Sequence, residues 1–279
     1  MKRNYNWKEL ACIIVLVLAI LPPLAAVTYI LVKAAAGLSW EFVSTVPSQR
    51  GLSGGILAPI VGTLWLMLGT ALVVLPFGIG AGIYLAEFAP DNRLTHWLET
   101  ALVNLAGVPS VIYGLFGYAV FVIMLGFGSS LMSASLTLAA LTLPLVVAAT
   151  RQALSDVPRS FREAALALGA TPWQGVATVI LPSAKSGIIT GTLLGMARAA
   201  GETAPILITG VAFFLPSLPS SFSSRFMALP YHLFIIATQV PGMPAERMWA
   251  TAGTLLLMVM TMQVGATVWR ERERSKKRW

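Results

Sequence analysis

Arg198 and Glu202 are the residues of this chain whose type and spacing most directly suggest chemistry. They lie in Gly195-Met196-Ala197-Arg198-Ala199-Ala200-Gly201-Glu202-Thr203-Ala204-Pro205, within an otherwise apolar stretch. Four residues apart, they would share one face of a helix, where their side chains can meet. Counted from Ser186 at ~1.5 Å per residue, Arg198 falls about 18 Å along that helix, near the middle of a hydrocarbon layer ~30 Å thick. A charge at that depth costs ~2.5–3.5 kcal/mol on insertion scales and normally faces protein or water. Two readings follow. In one, the residues form a buried ion pair that locks the helix to its neighbours, although such pairs often stabilise no more than apolar packing would. In the other, the planar Arg198 fork binds two oxygens of a tetrahedral oxyanion. Glu202 then accepts the O–H that hydrogen phosphate still carries near neutral pH, whereas sulfate lacks that proton and meets repulsion. Thr203 reads as a hydroxyl bonded to the helix backbone or lining a pore.

A second pattern lies on a basic connection between apolar segments: Glu163-Ala164-Ala165-Leu166-Ala167-Leu168-Gly169, closed by Leu181-Pro182. It reads as a short helix whose alanines let a foreign surface approach closely. Ser155 or Asp156 can cap its start, Pro158 suits its first turn, and Gly169 supplies the left-handed residue that ends it. A second helix follows, with Thr171 as N-cap and Pro172 as first residue, running to Pro182. This arrangement resembles the EAA loop of ABC-importer permeases, E-A-A-x3-G-x9-I-x-L-P, with Val179 at the Ile position.

These patterns must be carried by a membrane. The chain is 57% hydrophobic and 11% charged, outside the range of soluble domains. Stretches of ~20 apolar residues can span a bilayer as helices, and six qualify: Leu10–Val32, Ile56–Leu85, Leu98–Leu125, Leu131–Thr150, Ile188–Phe214 and Trp249–Trp269. Continuous apolar runs exclude a closed barrel. The expected fold is all-α integral membrane. The layout is an N-terminal helix and external loop (1–55), a transmembrane core (56–270) and a basic tail (271–279). Lys2, Arg3 and Lys8 precede the first run, and Arg270, Arg272, Arg274, Lys276, Lys277 and Arg278 follow the last. The Glu163 loop adds Arg151, Arg159, Arg162 and Lys185, while the loops assigned to the opposite side carry only Lys33, Arg50, Arg225 and Arg247. This asymmetry puts both termini and the Glu163 loop in the cytoplasm, and it accounts for the +8 net charge without nucleic acid.

The remaining features are mostly structural. The first apolar run is longer than a usual signal-peptide core, so an uncleaved first helix is expected despite Ala34-Ala35-Ala36. Cys12 is the lone cysteine, which excludes disulfides within the chain. His96 and His232 read as ordinary interfacial histidines. Pro76 and Pro109 should kink or interrupt their helices. Gly37–Pro59 reads as an external loop, Gly126–Ser130 as a turn, and Phe226–Val240 as an interfacial or re-entrant helix.

Arg198–Pro205 (R-A-A-G-E-T-A-P) resembles the matching segment of phosphate-specific ABC permeases. Val108-Pro109-Ser110-Val111-Ile112-Tyr113-Gly114-Leu115-Phe116 resembles their V-P-S-x-x-x-G-L-F segment, Tyr84-Leu85-Ala86-Glu87-Phe88 is similar to another, and the Glu-Thr-Ala-Pro ending favours the PstA type. The resemblance covers roughly residues 56–270. It implies a type I ABC importer permease with six transmembrane helices and cytoplasmic EAA coupling helices, in the bacterial inner membrane. It also implies a second permease (PstC type), two ATPase subunits (PstB type) and an external phosphate-binding protein (PstS type). Arg198, Glu202 and Thr203 would lie on the substrate pathway, and Glu163, Ala164, Ala165, Gly169, Leu181 and Pro182 would couple to the ATPase. The chain itself has no Walker A pattern, since Ala184-Lys185-Ser186 lacks the preceding Gly-rich loop. ATP and magnesium are therefore expected on a partner, with no cofactor or metal on this chain. Rival readings are an ABC permease for sulfate, molybdate or an amino acid, and an ion-coupled carrier using Glu202 as its proton site. An intramembrane enzyme has no nucleophile–base constellation in its favour.

Overall fold

The computed structural model describes residues 7–276. Of the charges that oriented the sequence, Lys2, Arg3, Lys277 and Arg278 lie outside the described residues. Helix α1 (Trp7–Ala35) leads to a short helix α2 (Trp40–Ser44), capped by the Ser39 side chain accepting from the Phe42 amide. A two-stranded hairpin follows, β1 (Pro47–Ser48) against β2 (Ser53–Gly54). The external loop expected at Gly37–Pro59 is therefore folded. Helix α3 (Leu57–Ile83) passes through Pro76 without a break and ends in a π-helical turn, Tyr84–Phe88.

The apolar run Leu98–Leu125 is not one helix. It divides into α4 (Arg93–Ala106) and α5 (Ser110–Gly117), the latter extended by a π-helical turn at Tyr118–Met124, and the two parts meet at 104°. Pro109 is the cause: it lacks an amide donor and pushes Val108 away from helical geometry. The Tyr113 hydroxyl donates to the Leu105 carbonyl across the corner at 2.9 Å and holds the bend.

After the Gly126–Ser130 turn come α6 (Leu131–Ser155), α7 (Arg159–Ala167) and α8 (Pro172–Gly175). Helix α9 (Leu181–Ala200) is joined to α8 by a π-helical turn, Val176–Ile180, and α10 (Ala204–Thr209) follows it. Next come α11 (Leu229–Thr238) and α12 (Ala245–Lys276). The expected helix Phe226–Val240 is shorter than its apolar run, because Phe226–Ala228 is buried extended chain bridged to Val211. His232 on α11 is buried, not interfacial. Among the described residues, five helices are long and apolar enough to cross a membrane, or six with the α4–α5 pair counted as one crossing.

Small residues set the packing. Gly69, Gly78 and Gly82 of α3 face Ser135, Val146 and Thr150 of α6, so the two helices run parallel with their backbones close together. Consecutive spans would be antiparallel, so the bent α4–α5 pair must return the chain between them. Helix α9 runs antiparallel to α6, with Gly187 against Ala153 and Gly191 against Ala149. Helix α1 seats its C-terminal end on the start of α12, with Ala34 fully buried against Gly253 and Gly37 close to Glu246.

These directions put the start of α1, the ends of α3 and α6, helix α7 and the end of α12 at one end of the bundle. The other end holds α2, the hairpin and an irregular roof over 210–228. The roof is tied down by the Leu131 amide donating to the Ser224 carbonyl (2.9 Å) and the Leu229 amide donating to the buried Thr63 hydroxyl (2.9 Å).

A methyl group at Gly82 would meet the Thr150 Cβ at 2.6 Å, whereas one at Gly80 meets nothing within 4 Å. We predict that Gly82→Ala destabilises the protein by ~1–3 kcal/mol through overpacking, read as a lower melting temperature in detergent. Gly80→Ala should melt like the parent protein, and equal effects at the two positions would contradict the α3–α6 packing described here.

Candidate functional site

The two patterns read from the sequence lie at opposite ends of one continuous helical run, Pro172–Ala200, 29 residues long. Its first turn is fixed by a capping box: the Thr171 hydroxyl accepts from the Gln174 amide, and the Gln174 side chain accepts from the Thr171 amide. The helix does not stop at Pro182, as its sequence suggested. Pro182 offers no amide and crowds the carbonyl four residues back. The wider turn at Val176–Ile180 carries the run past it. At 1.5 Å per residue, Arg198 lies roughly 40 Å from the capping box.

Arg198 occupies the last turn of α9. The apolar run Ile188–Phe214 is therefore broken, not a through-going span. Gly201 ends the helix, its amide and that of Glu202 returning to the Arg198 and Ala199 carbonyls at 3.1 and 3.2 Å. Pro205 keeps Ala204 from continuing the same helix. The expected mid-depth is nevertheless kept, because Gly195 faces Thr142 and Val146 near the middle of α6, one turn before Arg198.

Glu202 meets Arg198 from the turn that follows, not from the next helical turn. The Nε to Oε1 distance is 3.8 Å, an ion-pair contact without a hydrogen bond. The arginine side chain is 54% exposed and the glutamate 18%. A locked structural pair would be closed on both sides, and this one is open on the guanidinium side. The Arg198 side chain makes no hydrogen bond among the described residues, which leaves its fork available to an oxyanion. Half-buried Thr203 precedes α10 without capping it. Gly114 of α5 lets this break be covered closely, since a Cβ there would lie 3.0 Å from the Pro205 Cα.

The other end is an elbow. Helix α7 begins after Pro158, not at a Ser155 or Asp156 cap. Ser155 is the last residue of α6, and the Asp156 carboxylate accepts from Gln152 Nε2 at 2.8 Å. Gly169 has φ +81°, the left-handed conformation expected of it. Glu163 and Ala164 are exposed, as are Leu166 and Leu168, while Ala165 turns inward toward Gly175. Of the alanines read as a docking face, Ala164 and Ala167 are exposed and Ala165 is the helix's own footing. Glu163 lines a cleft of about 410 Å³ with Ala86, Ser155, Arg159 and Arg162. Half-buried Leu181 and exposed Pro182 line a neighbouring apolar cleft with Ile79, Lys185 and Ile188.

Arg162 and Glu87 form a contact that the sequence did not reveal. Arg162 Nε and Nη2 donate to the two Glu87 oxygens at 3.1 and 2.5 Å, while Nη1 and Nη2 donate to the Val157 and Leu154 carbonyls at 2.7 and 2.8 Å. The hydrogen-bonded Glu87 carboxylate holds the guanidinium pKa above its ordinary value, against the opposing effect of burial. Both residues carried a sequence signal, a charge beside an apolar run, but nothing in the chain indicated that they meet.

Comparison with known proteins bears on what this arrangement serves. The sequence pattern of a family described as "Binding-protein-dependent transport system inner membrane component" matches residues 78–267. The chain is 36% identical to the probable ABC transporter permease protein YqgI of Bacillus subtilis, over 65% of this chain and 62% of that protein. It is 32% identical to the phosphate transport system permease protein PstA 2 of Mycobacterium tuberculosis, over 91% of this chain and 83% of the relative. A chain of the MetNI methionine ABC transporter, solved in an inward-facing conformation, superposes with a TM-score of 0.62 at 18% identity, over 78% of this chain and 96% of that one. That likeness concerns the fold alone.

The openness of Arg198 is directly measurable. With Cys12→Ser removing the native thiol, Arg198→Cys should react with a water-soluble thiol reagent, whereas Ala200→Cys, at a position 1% exposed, should not. Protection at 198 equal to that at 200 would contradict an open guanidinium.

Proposed function

The chain belongs to the family of binding-protein-dependent transport system inner membrane components, and from that premise we propose that it is the permease of an ATP-driven inorganic phosphate importer. It forms half of the translocation pathway, and the open Arg198 fork beside Glu202, at a helix break in mid-bundle, is the observation that carries this reading. A planar guanidinium suits two oxygens of a tetrahedral anion, and a carboxylate at its side favours an anion that retains a proton to donate. The phosphate named for the mycobacterial relative supports the same solute. A single arginine holds the anion weakly enough to release it.

The partners follow from what this chain lacks and what it exposes. ATP and magnesium are bound by two ATPase subunits of the PstB type, docked at the elbow of Glu163, Ala164, Gly169 and Leu168. A second permease of the PstC type completes the pathway. A PstS-type binding protein delivers phosphate at the end formed by α2, the hairpin and the roof. The basic residues clustered at the elbow end make that end cytoplasmic, together with both termini. When the ATPase pair closes it moves α7, and the helical run from Thr171 to Ala200 carries that motion to Arg198. The helices rock between outward-open and inward-open arrangements, as packed elements with two discrete states do.

In the reconstituted complex, Arg198→Gln should lower ATP-dependent phosphate uptake about tenfold or more, with membrane insertion and subunit assembly intact. Glu202→Gln should let sulfate compete. Normal uptake by the Arg198 variant would return the pair to a structural role, and sulfate, molybdate or amino-acid uptake by the parent complex would change the solute. At the elbow, Gly169→Val places a β-branched residue in the left-handed region, at ~1–2 kcal/mol. It should reduce co-purification of the ATPase or its stimulated hydrolysis, whereas Gly169→Asn should be tolerated. Full coupling in the valine variant would mean that the elbow is not the docking site.

A further inference from the structure

Helix α7 is a weak element to pull on. It has nine residues, and among them only Ala165 is buried. Its apolar footing is Ala165 together with half-buried Phe161, which packs against the cluster around Leu154, Val157 and Ile180. A handle so lightly seated would tilt when pulled, without moving the bundle. Arg162, on the same face, is what fastens it.

Four hydrogen bonds leave that one guanidinium and reach three places. Two go to Glu87, in the π-helical turn that ends α3. One goes to Leu154, in the last turn of α6, and one to Val157, in the link between α6 and α7. The Glu87 side chain is 7% exposed and that of Arg162 25%, so water competes little for the contact. Helices α3 and α6 are themselves closely packed, the α3 glycines against α6 side chains, so the arginine grips a unit. Phe88, next to Glu87, lies 5.9 Å from the Trp173 ring at the start of the Pro172–Ala200 run. Two routes thus leave α7: through Gly169 to the run that carries Arg198, and through Arg162 to the α3–α6 pair.

We propose that Arg162, held by Glu87, is a positioning residue for energy coupling, making α7 a rigid handle on α3 and α6 so that ATPase closure moves them together with α9. The inference rests on the importer reading and adds to it a residue outside both the anion site and the docking face. Neither residue touches phosphate or ATP. Their loss separates hydrolysis from transport without detaching the motor.

The test uses the complete complex in proteoliposomes with phosphate-loaded binding protein, comparing Glu87→Gln, Arg162→Gln, Arg162→Lys and the Glu87→Gln/Arg162→Gln double variant with the parent. Three quantities are read: co-purified ATPase, ATP hydrolysed, and phosphate taken up. Expected is retained ATPase with phosphate moved per ATP lowered about tenfold in each glutamine variant, and no further loss in the double variant, as for residues acting as a unit. Arg162→Lys should fall between, keeping the charge but not the two-pronged contact. Parent-like coupling in Glu87→Gln and Arg162→Gln would overturn the inference, as would losses that multiply in the double variant. Loss of ATPase from the Arg162→Gln or Arg162→Lys complex would also overturn it, by making Arg162 a docking residue. If the parent complex itself shows no phosphate-dependent hydrolysis, the importer reading fails and this inference with it.

Discussion

Close packing of α3 against α6 is the constraint on which the other elements depend. It is possible because Gly69, Gly78 and Gly82 carry no side chain toward Ser135, Val146 and Thr150. Helices in lipid gain little from apolar burial against one another, so close approach of small residues supplies much of the association. The parallel direction of the two helices follows from that contact. It forces the α4–α5 segment to return the chain across the bundle, bent though it is. It also brings the ends of α3 and α6 together, where Glu87 and Leu154 meet the same arginine. Without the α3–α6 contact neither the elbow nor the broken helix would have a fixed frame.

Against that frame lies one long helical run. It begins at a capping box beside the elbow and ends, roughly 40 Å away, at Arg198 in mid-bundle. In the proposed function the two ends divide the work: one would present a surface to a partner, the other a guanidinium to a solute. The run survives Pro182 by widening one turn and ends at Gly201 because Gly201 and Pro205 together deny it continuation. A helix end in mid-bundle needs a cavity or close protein cover for its freed backbone. The nearby α5 and α10 supply cover, and the Arg198 side chain stays exposed.

Local chemistry was legible in the sequence, and long-range contact was not. Gly169, Thr171 and Pro172 declared a turn and a helix start because each acts on backbone within a few residues. The Arg198–Glu202 pair was legible because charge in an apolar run is rare, though the geometry that joins them is a turn, not a helical face. Pro109 marked its break, but hydropathy alone ran straight through both the 104° corner and the Gly201–Pro205 break. Apolar residues continue on both sides of each, and hydropathy does not register where a backbone stops being helical. Arg162 and Glu87, 75 positions apart, each carried only a local signal, Arg162 as a basic charge of the Glu163 loop and Glu87 as part of the Tyr84–Phe88 segment. His232 read as interfacial because nothing nearby in the chain announced the hairpin that buries it, with Gly51 close to its ring.

The central claim is that a partner's ATP hydrolysis, acting through this chain, moves phosphate past Arg198. Its most direct test is uptake of radiolabelled phosphate by the reconstituted complex with ATP supplied and no ion gradient across the vesicle. The account predicts ATP-dependent accumulation that excess sulfate does not inhibit. Uptake that needs a proton or sodium gradient and ignores ATP would contradict it, making Glu202 the proton site of an ion-coupled carrier.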